Sequence, residues 1–457
     1  MRRILLYLTF LLSAAFMACS DDDTFSANPN NLLSFTTDTV KLDTIFSGVG
    51  SSTYTFWVHN KGNDGIRLRS VRLRQGNQTG YRVNVDGLYL DNALGSVVSG
   101  IEVRRGDSLR VFVELTTPEQ DRDEARLVQD DLVFSLESGV EQKVCLSCYT
   151  WDAIKLTDLD VASDTVIESS RPVVVYGNGI TVRSGATLTL RNTTLYFHDK
   201  AGIDVYGSLT TDGCLLRGDR LDHMFDYLPY DRVSGQWRGL HFYDTSAENS
   251  LVGTEIRNAC DALVMDSTQL DTTQVRLTMT RCIVHNAKGN GVVVVGSKSR
   301  FTECQFTNTL GHCLSIIGGV SDIDHCTIAQ FYPFVGDNGT ALHFANYMDD
   351  NDVPLLRLHC GESIVTGYSS DVVTGDVRDT TSANFNYAFR HTLLRTPRVV
   401  TADSVRFDAC LWETSKDSVQ GKHHFVLIDE ENLKYDFHLD SLSTAKGLGC
   451  YPVKDIP

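Results

Sequence analysis

Three cysteines, Cys282, Cys304 and Cys326, follow one another at intervals of 22 residues, and the same interval separates Asn286 from Asn308 and Gly296 from Gly318. A fixed period of this size marks one supersecondary unit stacked on copies of itself. Such a unit is long enough for three short strands and three turns, which is one coil of a parallel β-helix with neighbouring coils about 4.8 Å apart. About ten such coils fit between Arg171 and the C-terminus. In stacked coils equal positions lie above one another, so Cys282, Cys304 and Cys326 are expected to form an inward ladder. Val284, Phe306 and Ile328 should form a second one, two residues on. Asn286 and Asn308 should sit at a turn where a side-chain amide can bond the next coil's backbone. Cys313 falls where Gly291 sits one coil earlier. The stretch from Cys304 to Gly319, with two cysteines and His312 in its first ten residues, therefore reads as wall rather than as chemistry.

A metal centre would need convergent ligands at tight spacing, such as paired CxxC units, and none occurs. Cys145-Leu-Ser-Cys148 is a lone CxxC at a strand end, without the helix of a thioredoxin-type site, and reads as structural thiols or a local disulfide. No cofactor and no metal are expected. The formal charge is −17, which makes nucleic acid an unsuitable partner.

Ahead of the repeats, Ser52–His59, Ile66–Leu73, Ser108–Leu115 and Asp131–Leu136 alternate apolar and polar residues between Asn, Gly and Asp turns. That pattern predicts an antiparallel β-sandwich over residues 34–150. The run from Phe46 to Leu73 resembles immunoglobulin-like modules. Further upstream, Arg2 and Arg3 precede an apolar run from Ile4 to Ala18 that is too short for a membrane span, so residues 1–18 read as an export signal. Phe16-Met17-Ala18-Cys19 resembles the lipobox of bacterial lipoproteins. The resemblance implies lipidation of Cys19 and attachment to a membrane through that anchor. Ser20-Asp21-Asp22-Asp23 resembles the surface-export signal of Bacteroidetes lipoproteins, which implies the outer face of the cell outer membrane; residues 19–33 read as a flexible acidic tether.

The segments Ser184–Gly213, Gly235–Phe242 and Tyr435–Gly449 resemble the right-handed β-helix repeat family, whose pectate-lyase-like members include enzymes. The expected fold is thus all-β, an N-terminal antiparallel β-sandwich followed by a right-handed parallel β-helix over residues 151–457. Fold does not fix function. The polygalacturonase pattern of Asn-Thr-Asp, Asp-Asp, Gly-His-Gly and Arg-Ile-Lys is not met: Gly311-His312-Cys313 stands alone, and Asp349-Asp350 follows it rather than preceding it. Asp349, Asp350 and Asp352 could serve as a cation-binding cluster for a lyase, but "YMDDNDVP" reads first as a solvated turn between coils.

The most unusual segment runs from Gly218 to Trp237 and interrupts a coil with Tyr, Asp, His and Arg. Solenoid insertions land on one face as protruding loops, where binding sites gather. Asp219, Arg220, Asp222, His223, Tyr227, Tyr230 and Trp237 are the candidate ligand-binding residues, the aromatics for stacking on sugar rings and the charged groups for hydroxyls. The alternative is that Phe225, Tyr227 and Trp237 cap the neighbouring coil or pack on the sandwich. Two functions follow: a non-enzymatic surface module that binds glycan or another surface protein, or a polysaccharide lyase or glycoside hydrolase acting on acidic polysaccharide. A cleft lined by two carboxylates and a basic residue on consecutive coils would favour the enzyme; a smooth coil face with only the loop projecting would favour binding.

Overall fold

The computed structural model describes residues 24–453 apart from 226, 270–272, 335, 337, 379–383, 415 and 417–420. The export signal and Cys19 lie outside the described residues. The chain divides into two compact units at Asp152 and Ala153.

The first unit is a two-sheet sandwich. One sheet orders Ser34–Phe35, Tyr54–His59, Ser108–Leu115, Tyr81–Val85 and Leu88–Tyr89; the other orders Thr39–Phe46, Glu141–Trp151, Arg126–Leu136, Ile66–Leu73 and Val97–Val103. Alternation decides which side chains face inward: Ile66, Leu68, Val111, Val113, Leu132, Phe134 and Val144 are buried between the sheets. Pairing is antiparallel except that Thr39–Phe46 runs parallel to Glu141–Trp151. The lone CxxC lies within that last strand, with Cys148 packed in the sandwich core.

The second unit is a parallel β-helix with three walls. Wall A holds ten parallel strands among the described residues, from Thr165–Glu168 to Phe407–Asp408. Walls B and C join through their pairings into one sheet. A typical coil is Lys298–Thr302 in wall A, Gln305–Thr309 in wall B and Leu314–Ile317 in wall C.

The register follows the repeat. Ile283 pairs with Gln305 and Gln305 with Thr327, so Cys282, Cys304 and Cys326 stack, each buried. The neighbouring coils continue that rank with Cys214, Thr254, Ser363, Thr392 and Cys410. In each of these eight, the thiol or hydroxyl donates to the backbone carbonyl two residues before it, from Asp212 in the first to Asp408 in the last. The residue just before each rank member turns the corner in the left-handed region: Gly213, Gly253, Arg281, Glu303, His325, Glu362, His391 and Ala409 all have positive φ. The cysteines are thus one of three interchangeable ways to close this corner, each burying a small side chain and satisfying a carbonyl.

The second predicted ladder holds as well: Val284, Phe306 and Ile328 are paired neighbours in the core. At the next corner Asn258, Asn286 and Asn308 share positive φ, which asparagine tolerates. Asn286 donates its amide to Asn258 Oδ1 at 2.8 Å, and Asn308 Oδ1 accepts from Phe331 N at 3.2 Å. Gly239 is required where its coil passes close to the next: φ is +101°, and a Cβ would lie 1.8 Å from the carbonyl oxygen of Asp261.

Two additions depart from the plain coil. Residues 219–238 leave between walls B and C, and the antiparallel hairpin Phe425–Asp429 with Lys434–Leu439 follows the last coil. Phe425, Phe437 and Leu439 of that hairpin pack on Phe331, Ile364 and Leu393, so it covers part of the outer face of wall B.

Candidate functional site

Along wall B, residues flanking each inward side chain point outward, and the triplets Glu255-Ile256-Arg257, Ile283-Val284-His285 and Gln305-Phe306-Thr307 place their outer members in two vertical files. Arg217 stands one coil before Arg257 in the same file, since Leu216 pairs with Ile256, and Tyr196 stands one coil before Arg217. The insertion and the C-terminal hairpin both reach these files. Between them lies a cleft of about 340 Å³, lined by Asp231, Arg232, Glu255, Arg257, His285, Asn308, Tyr435, Asp436 and His438 among others. Arg232 Nη1 donates to the carbonyl oxygen of Asn432 at 2.6 Å and so ties the two walls together.

The charges in the cleft are paired. Asp231 Oδ1 lies 2.8 Å from Arg217 Nη1 and 3.2 Å from Arg257 Nη2. Glu255 Oε1 is 3.4 Å from Arg257 Nη1, and Asp436 Oδ1 is 2.6 Å from His438 Nδ1. His285 shares a hydrogen bond with Thr307 Oγ1 at 2.9 Å, and its ring meets Tyr435 edge-on at 5.4 Å. Burial, reinforced by Arg257, pushes the His285 imidazole down to about 4, so it is neutral at pH 7. Burial likewise raises the Tyr435 phenol above its ordinary range.

Polar atoms gather on the cleft wall: Asp231 Oδ1 is held by its two ion pairs, the Asn308 amide faces the Tyr435 hydroxyl, and Arg257 Nε is buried without a directed hydrogen bond.

The seven residues singled out in the insertion are distributed differently from the expectation. Trp237 is fully buried, stacked on Phe197 at 4.3 Å with its indole Nε1 donating to the Arg257 carbonyl at 2.9 Å, so it is core and does not face a ligand. Its size and apolar surface drew it inside, which is the capping role weighed for it. Asp219 and Asp222 are buried as well: Asp219 meets His198 Nδ1 at 2.7 Å, and Asp222 takes both Nε and Nη2 of Arg220, at 2.9 and 2.6 Å. Burial raises the Asp219 carboxyl, with His198 opposing. Arg220 also lies over Tyr230 at 4.3 Å. These four brace the insertion's base. Tyr227 is 79% exposed and stacks on Phe225 near the tip of a small hairpin that also contains His223.

The sequence reading passed over Arg217, Asp231, Glu255, Arg257 and His285. A signal was present: Arg257-Asn258, His285-Asn286 and Thr307-Asn308 are consecutive instances of an outward residue followed by the corner asparagine. The stretch Asp349–Asp352 is a hairpin turn tied by Arg378 to the Asp349 and Asp350 carbonyls and to Asp352 Oδ1. Among the described residues no group of three or more His, Cys, Asp or Glu could hold a metal ion.

Against known proteins, the family described as "Right handed beta helix region" matches residues 162–330. No curated protein matches the chain. Among solved structures, the Agl-KA catalytic domain is similar at 10% identity over 79% of this chain and 87% of that one, with a TM-score of 0.33. The ASH/PapD-like domain of human CEP192 is similar at 11% identity over 27% of this chain and 88% of that one, with a TM-score of 0.18.

Proposed function

We propose that the cleft on wall B binds a carbohydrate chain and that the protein is a non-enzymatic binding module. The observation that carries this reading is the cleft itself, about 340 Å³, on which the polar side chains of Asp231, Arg257, Asn308 and Tyr435 converge. Sugar hydroxyls both donate and accept, which suits a lining of mixed carboxylate, guanidinium, amide and imidazole groups, while Tyr435 and the half-exposed Phe334 offer apolar surface at the same cleft.

A second reading, glycoside hydrolysis, is favoured by the convergence of Asp231, Glu255 and Asp436 beside arginines on consecutive coils. Hydrolysis needs one carboxyl held protonated as general acid. Each of these three is instead engaged by a nitrogen partner, at 2.8 Å for Asp231, 3.4 Å for Glu255 and 2.6 Å for Asp436, and none is held apart as a free proton donor. That supports binding over turnover.

The test is a glycan-array and polysaccharide-digestion screen of the protein from Ser20 onward, with reducing-end and unsaturated-uronide readouts. Binding without product, weakened at least tenfold in Arg257→Gln, is expected; product formation abolished by Glu255→Gln would establish the enzyme instead.

Attachment through a lipidated Cys19 at the cell surface belongs to the same proposal and rests on the leader sequence. Labelling of cells with a radioactive fatty acid should mark the protein, and Cys19→Ala should remove both the label and the sensitivity of intact cells' protein to added protease.

A further inference from the structure

Two guanidinium groups stand in one outward file on adjacent coils: Arg257 in the cleft lining and Arg217 behind it, with Arg217 Nε and Nη2 donating to the Gly218 and Arg220 carbonyls and Nη1 left for Asp231. Rungs lie about 4.8 Å apart, so two like charges in that file repel unless an anion is placed between them. Arg217 has only 7% of its side chain exposed and Arg257 23%. Burial pushes the Arg217 guanidinium down, with Asp231 pulling it back up and Arg257 pushing it further down.

The anion comes from elsewhere in the chain. Asp231 sits in the three-residue 3-10 turn Tyr230–Arg232 of the insertion, and its Oδ1 is the oxygen shared by both arginines. Its fit is incomplete. Neither Asp231 Oδ1 nor Arg257 Nε makes a directed hydrogen bond, and the Asp231 side chain remains 44% exposed. The turn is held from outside the pair, by Asn258 Nδ2 donating to the Asp231 carbonyl at 3.0 Å and by Arg232 reaching Asn432. On Arg257, Glu255 sits 3.4 Å from Nη1 and Asp231 3.2 Å from Nη2, so a planar carboxylate that replaced Asp231 would gain the Nη2 and Nε edge of the guanidinium.

We propose that Arg217 and Arg257 form an anion subsite for the carboxylate of an acidic sugar, and that Asp231 is an internal stand-in which such a ligand displaces. The inference rests on the cleft being a glycan site. Exchanging one carboxylate for another leaves the local charge unchanged, so the native chain binds the acidic sugar weakly. The formal charge of −17 repels anions at long range. Close to the site Asp231 and Glu255 offset the two guanidinium groups, so removing the Asp231 charge is what leaves a net positive site.

Calorimetric titration of the full chain with methyl glucuronide and methyl glucoside tests this. Asp231→Asn should tighten methyl glucuronide binding at least tenfold and leave methyl glucoside unchanged, and adding Arg257→Gln should abolish the gain. No gain, or an equal gain for the neutral sugar, overturns the proposal. If unpaired arginines prevent Asp231→Asn from folding, Asp231→Asn with Arg217→Met removes the repulsion and should still prefer the glucuronide; equal affinities there overturn it too. The two readings fail separately. A gain in Asp231→Asn with no glycan bound by the native chain would sustain the subsite and sink the glycan function. Glycan binding with no such gain would do the reverse.

Discussion

Trp237 and Cys304 show how burial sorts residues that look chemically eloquent in a sequence. Trp237→Ala removes an indole with no exposed surface from its stack on Phe197, and should cost about 3–5 kcal/mol with its main effect on folding. Cys304→Ser should change stability by no more than about 1 kcal/mol, because Ser363 already makes the same bond to the carbonyl two residues back. Urea denaturation of both variants checks the contrast; a silent Trp237→Ala would contradict the core assignment. The buried histidines make a pH prediction. Burial pushes His285 and His312 down to about 4 and also lowers His343, which stacks on His312 at 4.4 Å. The unfolded chain protonates His285 and His312 near 6.5 while the folded one resists until about 4, so their contribution is complete above 6.5 and is lost as pH falls through that window, with His343 acting in the same direction. Tm should drop between pH 7 and 4, less steeply in His312→Gln. A Tm that stays flat from 7 to 5 would refute this.

At the scale of elements, the corner that closes each coil demands left-handed backbone whatever residue occupies it. Arg281, Glu303 and His325 take φ of 50°, 54° and 49° where Gly213 and Gly253 stand in neighbouring coils. Glu303→Gly should therefore gain up to about 1 kcal/mol, and the β-branched Glu303→Val should lose about 1–2. Thermal melts of the two variants decide it, and matching losses would show that the corner is insensitive to backbone preference. The same corners explain what could be read in advance. Wall positions were legible because a fixed period superposes Cys282 on Cys304 and Val284 on Phe306 without knowledge of the rest of the fold. The cleft was much less so. Asp231 and Tyr435 arrive from an insertion and from a hairpin beyond the last coil, and no spacing relates them to Arg257; only the shape of the folded unit brings them together.

For the whole molecule, the two units have hydrophobic cores that share no residue, one built from Leu33 to Cys148 and the other from Val161 to Leu394 with its satellite clusters. Residues 24–152 and 153–453 should each fold when expressed alone, and calorimetry of the intact chain should resolve two transitions. A single transition with neither fragment folding would overturn that division. The proposed binding site uses one face of one unit, where insertion, corner asparagines and closing hairpin meet on wall B. That hairpin has a mechanical consequence. Phe425, Phe437 and Leu439 grip residues from three successive coils, Phe331, Ile364 and Leu393. A pull on the C-terminus must shear this clasp sideways before any coil can peel. Once it yields, regular turns of the spiral would pay out one at a time, each lengthening the chain by about 75 Å, so tension would meet a lock first and a ratchet afterwards.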